Sequence, residues 1–222
     1  MRAAYQKMGE ALLKTGRPIV YSLCQYGRAE VGEWGPLVSG NLWRTTFDIR
    51  DQWQSMANIG FSQSKQSPYA APGHWNDPDT LEVGNGAMTA TEYRTHFSLW
   101  AMLAAPLIAG NDLRGMNVET AEILTNKEVI AVDQDKLGKA GRQIAVDGDK
   151  EVWARELSGG AWAVSLFNRG DSEAEVTLKL ADLKINGNAK ARDLWKHTEV
   201  GTLTGEYMAK VAAHGVVMLR VK

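Results

Sequence analysis

The sequence contains little cysteine, no excess of either charge and no long apolar run. Its 222 residues include one cysteine, Cys24, so no disulfide can form within the chain, and the redox state of its compartment stays open. A net charge of −1 provides none of the basic surface that binds nucleic acid or anionic membranes. No segment approaches the roughly eighteen apolar residues of a membrane-spanning helix. These absences favour a globular protein whose partner is small or neutral.

The residue patterns of common metal and nucleotide sites are missing as well. None of the histidines is spaced from cysteine or from another histidine as zinc ligands are; they are His74, His96, His197 and His214. No phosphate loop of the type Gly-x-x-x-x-Gly-Lys occurs. The sequence therefore implies no metal and no cofactor.

The first part of the chain, residues 1–138, alternates between helical and strand-like patterns. Helices are predicted over 1–13, 49–59, 89–104 and 118–124. The first has an apolar face of Tyr5, Met8, Leu12 and Leu13. The third opens on a capping box formed by Thr89 and Glu92. Strands or extended segments are predicted over 19–24, 42–47, 75–81 and 106–109, and a turn over 126–132.

Four such βα units amount to half of a (β/α)8 barrel. A complete barrel takes about 250 residues, so residues 1–138 are too few to close one. An open half-barrel leaves two parallel edges unpaired, where another chain could pair. A small doubly wound sheet is the alternative that four βα units also allow.

After Gly138 the pattern changes to a period of two residues. Apolar residues alternate with small or polar ones around 162–166, 176–180 and 217–221. Turn-forming residues separate these segments, among them Gly159-Gly160. We therefore predict a boundary near 138–142, with half of a barrel in residues 1–138 and an antiparallel β-sandwich in residues 139–222.

Residues that can carry chemistry follow the predicted strands of the first part. Cys24, Asp48, Asp79 and the pair Asn111-Asp112 stand at or just past carboxyl ends, where the active sites of such folds lie. Asp48 closes an apolar run in which Arg44 precedes it by four residues. A carboxylate presented in this way suits the proton donor of a sugar-cleaving enzyme.

Five ordered motifs resemble the signatures of glycoside hydrolase family 27, whose best known members are α-galactosidases (melibiases) and α-N-acetylgalactosaminidases. The motifs are YSLC at 21–24, NLWRTTFDI at 41–49, PGHWNDPD at 72–79, APLI at 105–108 and VDQD at 132–135. The resemblance covers essentially the whole chain. It implies a (β/α)8 barrel followed by an antiparallel β-sandwich, of which this chain supplies about strands five to eight and the β domain.

The resemblance assigns Asp48 as the acid/base of a retaining glycosidase. Such an enzyme uses two carboxylates about 5 to 5.5 Å apart. Asp48 is expected to protonate the leaving oxygen and then to deprotonate the water that releases the glycosyl enzyme. Family members carry the nucleophile in a Lys-Tyr-Asp motif at the end of the fourth strand, and the 222 residues contain no such motif. The chain is therefore expected to be a fragment that is inactive alone.

The same resemblance assigns five residues to the sugar-binding site: Cys24, Tyr26, Arg44, Asp79 and Thr80. Three of them also have structural interpretations that stay open. Cys24 could be a small core residue, Arg44 part of a salt bridge at the barrel end, and Asp79 a support for the pocket.

The function implied is removal of terminal α-D-galactosyl residues from oligosaccharides or glycoconjugates. Five residues depart from the commoner family pattern: Gln25-Tyr26 stands where Glu-Trp is frequent, Phe47 and His74 stand where glycine is frequent, and Thr80 stands where methionine is frequent. Activity as an α-N-acetylgalactosaminidase or β-L-arabinopyranosidase therefore stays open, as does a non-catalytic sugar-binding or structural role. A homodimer through the β domain also stays open. The compartment is not fixed, and secretion or export to a periplasm is among the options.

Overall fold

Three short parallel strands form the centre of the first part of the computed structural model, which describes Met1–Lys222. They are β1 (Ser22–Leu23), β2 (Leu42–Arg44) and β3 (Trp75–Asp77), paired in the order β1-β2-β3. The helices are α1 (Arg2–Lys14), α2 (Val31–Trp34), α3 (Trp53–Phe61), α4 (Ala90–Leu103), α5 (Val118–Leu124) and α6 (Lys127–Asp133). This parallel βα arrangement confirms the predicted partial barrel.

The two edges of the parallel sheet are shorter and more exposed than the sequence predicts. Of the strand predicted over 19–24 only β1 forms, and Val20 is 74% exposed. The strand predicted over 106–109 is wrong, because this segment forms a single parallel bridge at Ala109 and Ile108 is 48% exposed. At both edges the backbone pairs on one side only, so an apolar sequence does not produce a buried strand.

Two helices have limits that differ from those predicted. The helix predicted over 49–59 begins only at Trp53, because Gln52 is extended with φ −150° and ψ 135°. The segment predicted as a turn over 126–132 is a helix, α6. The side chain of Asn126 accepts hydrogen bonds from two backbone amides at the start of α6, which stabilises this short helix.

Helix α1 contacts the rest of the chain through less of its surface than predicted. Tyr5 is half-buried, but Met8 and Leu13 are 53% and 66% exposed. The contact depends on Gly9, where an added Cβ would lie 2.3 Å from the backbone oxygen of Val38. None of the six helices is long and apolar enough to cross a membrane.

The second part of the chain is an antiparallel β-sandwich, as predicted. Its strands are β4 (Arg142–Asp147), β5 (Lys150–Glu156), β6 (Trp162–Asn168), β7 (Ala174–Lys179), β8 (Asn188–Asp193), β9 (Thr198–Thr204), β10 (Glu206–Val211) and β11 (Val216–Val221). They pair in the order β4-β5-β6-β11-β8-β9-β10-β7. The sheet folds over so that β7 and β10 face β6, and a core of fifteen buried residues lies between the layers.

Helix α4 packs between the two parts of the chain. Its capping box forms as predicted, with the Thr89 side chain accepting from the Glu92 amide and the Glu92 side chain accepting from the Thr89 amide. The core around α4 contains twenty-five buried residues, including Trp153, Phe167 and Met218 from the β strands. The core around α4 therefore continues across residue 138, where the sequence pattern changes to a period of two residues. The division into domains at 1–138 and 139–222 stays a prediction.

Candidate active site

Arg44 joins two carboxylates at the carboxyl ends of β2 and β3. It is the last residue of β2 and lies in register with Asp77, the last residue of β3. One terminal nitrogen of Arg44 lies 2.6 Å from a carboxylate oxygen of Asp79 and 3.2 Å from one of Asp48. Three of the residues predicted for the site are therefore in direct contact.

The two carboxylates on Arg44 differ in how freely they can react. The side chain of Asp79 is 13% exposed, and its oxygens accept hydrogen bonds from the amides of Ile49 and Thr80 as well as from Arg44. The side chain of Asp48 is 74% exposed and contacts only Arg44 among these groups. Asp79 is thus held in place by its partners, whereas Asp48 is free to exchange a proton with a ligand.

Asp79 adopts a backbone conformation that residues with a side chain rarely take. Its φ is 99°, in the region that favours glycine. Two contacts fix it there: its amide donates to the side chain of Asp77, and its carbonyl accepts from the indole of Trp100. Burial raises the pKa of the Asp77 carboxyl, which the Asp79 amide and the Arg44 charge partly offset. The strained turn is therefore anchored from β3 and from α4.

Trp100 and His96 of α4 support the site from behind, a role that sequence reasoning missed. The rings of His96 and Trp100 meet edge to face with centroids 4.0 Å apart. Burial lowers the pKa of His96 to about 3, so that its ring stays neutral and accepts a hydrogen bond from the Glu82 amide. The only sequence signal for this role was that side chains with polar atoms lie on the buried face of a helix. Such side chains are common in protein cores.

Tyr26 and Cys24 lie on the other side of Arg44. The Arg44 guanidinium carbon is 5.6 Å from the centroid of the Tyr26 ring. The negative charge of Asp48, and after it that of Cys24, raises the pKa of the Tyr26 phenol. Cys24 is exposed, so its interpretation as a core residue is wrong.

Thr80 is near the site through its backbone. Its amide donates to Asp79, while its hydroxyl lies beside Gly110. Asp112 caps a 3-10 helix by accepting from the Arg114 amide, so its side chain is turned to a structural contact. A cavity of about 420 Å³ exists at the opposite, amino-terminal ends of the strands, and none of the candidate site residues lines it. The candidate site is thus an open surface around Asp48.

Models of two known domains match the chain in sequence order. Residues 1–135 match the domain described as alpha galactosidase A, and residues 147–221 match the alpha galactosidase C-terminal beta sandwich domain. The chain belongs to glycoside hydrolase family 27. Within this family it corresponds to the C-terminal part of the catalytic domain together with the β-sandwich domain.

Relatives in family 27 agree with this placement. Alpha-galactosidase 2 of Arabidopsis thaliana is 48% identical over 219 residues, which are 98% of this chain and 55% of the relative. Alpha-galactosidase I from Mortierella vinacea superposes with a TM-score of 0.92 at 34% identity, covering 99% of this chain and 62% of that structure. A β-L-arabinopyranosidase of family 27 from Geobacillus stearothermophilus also gives 0.92, at 28% identity, covering 100% and 54%. The chain spans about half the length of the relatives that it matches.

Proposed function

We propose that residues 1–222 supply the acid/base half of an α-galactosidase that removes terminal α-D-galactosyl residues with retention of configuration. The observation that carries this proposal is the exposed Asp48 carboxylate, held by Arg44 at the carboxyl end of β2. The 48% identity to a relative named as an alpha-galactosidase supports the choice of sugar.

In the proposed reaction Asp48 acts twice. It first donates its proton to the glycosidic oxygen as the bond to the leaving group breaks, and it then takes a proton from the water that attacks the galactosyl enzyme. Arg44 keeps the carboxylate in position through its contact with Asp48. Tyr26 covers the other face of this arginine and borders the same surface.

The nucleophile is a second carboxylate, and we propose that it comes from outside residues 1–222. Asp79 is the other carboxylate on Arg44, but its two oxygens accept hydrogen bonds from two amides and the guanidinium. An oxygen held in this way would have to give up those bonds to attack a sugar carbon. Asp79 therefore serves to position Arg44.

A chimeric enzyme tests this proposal. We would join residues 1–222 to the N-terminal half of Alpha-galactosidase 2 from Arabidopsis thaliana and measure hydrolysis of 4-nitrophenyl α-D-galactopyranoside. We expect turnover by the chimera and none by residues 1–222 alone. Turnover by residues 1–222 alone would contradict the proposed origin of the nucleophile, and an inactive but folded chimera would favour a non-catalytic role.

Substitution of Asp48 then tests its own role. In the chimera, Asp48→Ala should lower turnover by about 10²- to 10⁴-fold, the usual contribution of general acid–base catalysis. Azide should restore part of the rate, because this anion can release the galactosyl enzyme without a general base. Asp112→Asn is the matched control, since this exposed carboxylate contacts Arg114 and should leave the rate unchanged. An active Asp48→Ala variant would disprove the assignment.

The structural similarity to a β-L-arabinopyranosidase supports a second candidate sugar. β-L-Arabinopyranose has the ring configuration of galactose without the hydroxymethyl group at C5. The same chimera should therefore be compared on 4-nitrophenyl glycosides of α-D-galactose, β-L-arabinopyranose and N-acetyl-α-D-galactosamine. We expect the highest kcat/KM on the galactoside.

A further inference from the structure

Phe47 is an exposed aromatic residue directly before Asp48. It is 64% exposed, whereas the other three phenylalanines, Phe61, Phe97 and Phe167, are 8%, 1% and 0% exposed. An exposed phenylalanine beside a reactive carboxylate leaves apolar surface in water unless a ligand covers it. This position is therefore a candidate for a contact with the substrate.

Phe47 belongs to a cluster of two aromatic rings and two guanidinium groups. Its ring stacks on that of Tyr26 with centroids 5.4 Å apart and planes 16° apart. The Arg28 guanidinium carbon lies 5.5 Å from the Phe47 centroid, and Arg44 lies 5.6 Å from the Tyr26 centroid. Stacking and cation–π contacts hold the exposed ring in a defined orientation.

The loop that carries Tyr26 and Arg28 is strained and tightly fitted. Tyr26, Ala29 and Glu30 have φ values of 60°, 56° and 53°, in the region that favours glycine. Gly27 sits against Thr45, whose backbone oxygen would lie 2.1 Å from an added Cβ. The segment is thus fixed against the loop between β2 and Asp48. Its backbone strain is not offset by burial of Phe47 in the core, because the Phe47 ring is exposed.

We propose that Phe47, supported by Tyr26 and Arg28, forms a platform for a ring-shaped leaving group, either an aryl group or a sugar ring. This inference rests on the proposed function, because the acid/base carboxylate marks the side of the scissile bond on which the leaving group departs. Aromatic faces bind the apolar faces of such rings, and Arg28 offers donors to their hydroxyls. Phe47 then sets specificity for the leaving group, while the galactosyl ring is bound elsewhere in the site.

Fluorine NMR of residues 1–222 tests this binding without requiring catalysis. Labelling with 4-fluorophenylalanine gives four signals, and loss of one in Phe47→Tyr assigns the exposed ring. We expect 4-nitrophenyl α-D-galactopyranoside to shift the Phe47 signal and to leave the three buried rings unchanged. Methyl α-D-galactopyranoside should shift none. No shift with the aryl galactoside, or an equal shift with methyl α-D-galactopyranoside, would overturn the platform.

Kinetics of the chimera separate leaving-group binding from a general defect. Phe47→Ala should lower kcat/KM about tenfold for the 4-nitrophenyl galactoside but leave it unchanged for α-D-galactopyranosyl fluoride, whose leaving group needs no platform. Phe47→Tyr should keep the wild-type values. An equal loss on both substrates would overturn the inference. If the unaltered chimera is inactive, the proposed function fails, and the NMR result still decides whether Phe47 binds a ring.

Discussion

Three aspartates around Arg44 have different properties because their partners differ: Asp48 and Asp79 contact its guanidinium, and Asp77 pairs with it in register. Asp77 is 6% exposed and its pKa is raised by burial, and Asp79 is fixed by two amides and a guanidinium. Asp48 is exposed to water, and Arg44 is its one charged partner. At the scale of single residues, the hydrogen bonds that an aspartate accepts therefore decide whether it supports the site or reacts in it.

This difference predicts a large loss of stability when Arg44 is replaced and almost none when Asp48 is replaced. Arg44→Met should lower the free energy of unfolding by about 3 kcal/mol, because it leaves the nearly buried Asp79 carboxylate without its charged partner. Asp48→Asn should change it by less than about 0.5 kcal/mol, because an exposed ion pair contributes little. Urea denaturation of both variants measures the two changes in the free energy of unfolding. A large loss in Asp48→Asn would mean that Asp48 has a structural role.

At the scale of elements, some local signals in the sequence were reliable, but α6 was predicted as a turn although the Asn126 side chain that caps it is local. The capping box at Thr89 fixed the start of α4, and Val118–Leu124 forms α5 as predicted. Signals that depend on a partner failed: the apolar segment around Ile108 lacks a second strand neighbour. The positive φ of Asp79 could not be predicted either, because it depends on a hydrogen bond from Trp100, which is distant in sequence, as well as on the neighbouring Asp77.

The end of α6 contains two aspartates whose pKa values shift in opposite directions. Burial raises the pKa of Asp133 to about 7, despite the nearby Arg155 and a hydrogen bond from Gln134. Burial also acts on Asp135, but hydrogen bonds from Ser158 and the Leu137 amide outweigh it and lower its pKa. The two carboxylates therefore contribute to stability over different ranges of pH.

Asp133→Asn should therefore stabilise the protein at high pH. An ordinary aspartate has a pKa of 3.8, so between pH 4 and 7 the unfolded chain is ionised while folded Asp133 keeps its proton. Stability falls as pH rises through this range, and the penalty is complete above pH 7. The asparagine avoids it, with a gain of roughly 2 kcal/mol at pH 8 that disappears near pH 4.

Asp135→Asn is the matched control, and the opposite result is expected. It removes a carboxylate that is stabilised in its ionised form, so it should destabilise the protein at pH 8, and this loss should shrink as pH falls below 4. Urea denaturation of both variants at pH 3, pH 4 and pH 8 gives the six values needed. Loss of stability in Asp133→Asn at pH 8 would show that attraction to Arg155 exceeds the cost of burial.

At the scale of the whole molecule, the barrel segment and the β-sandwich share side chains across their boundary. The ring of Phe61 in α3 meets those of Trp153 and Phe167 at centroid distances of 6.1 and 5.1 Å. His214, in the turn before β11, stacks on Trp53 at 4.1 Å and contacts the carboxylate of Glu92 at the start of α4. The helices that carry the supports of the active site are thus packed directly on the β-sandwich.

This packing predicts that the chain unfolds in one cooperative transition. Met218 in β11 is fully buried in the core around α4, so Met218→Ala should lower the free energy of unfolding by about 3 kcal/mol. Circular dichroism and tryptophan fluorescence should report the same urea midpoint before and after the substitution. Residues 139–222 alone should show no cooperative transition, because Trp153 and Phe167 would lose the helices that cover them. Two separate transitions in the full chain, or a folded 139–222 segment, would show that the β-sandwich is stable without α4 and that the site is held by the parallel βα part alone.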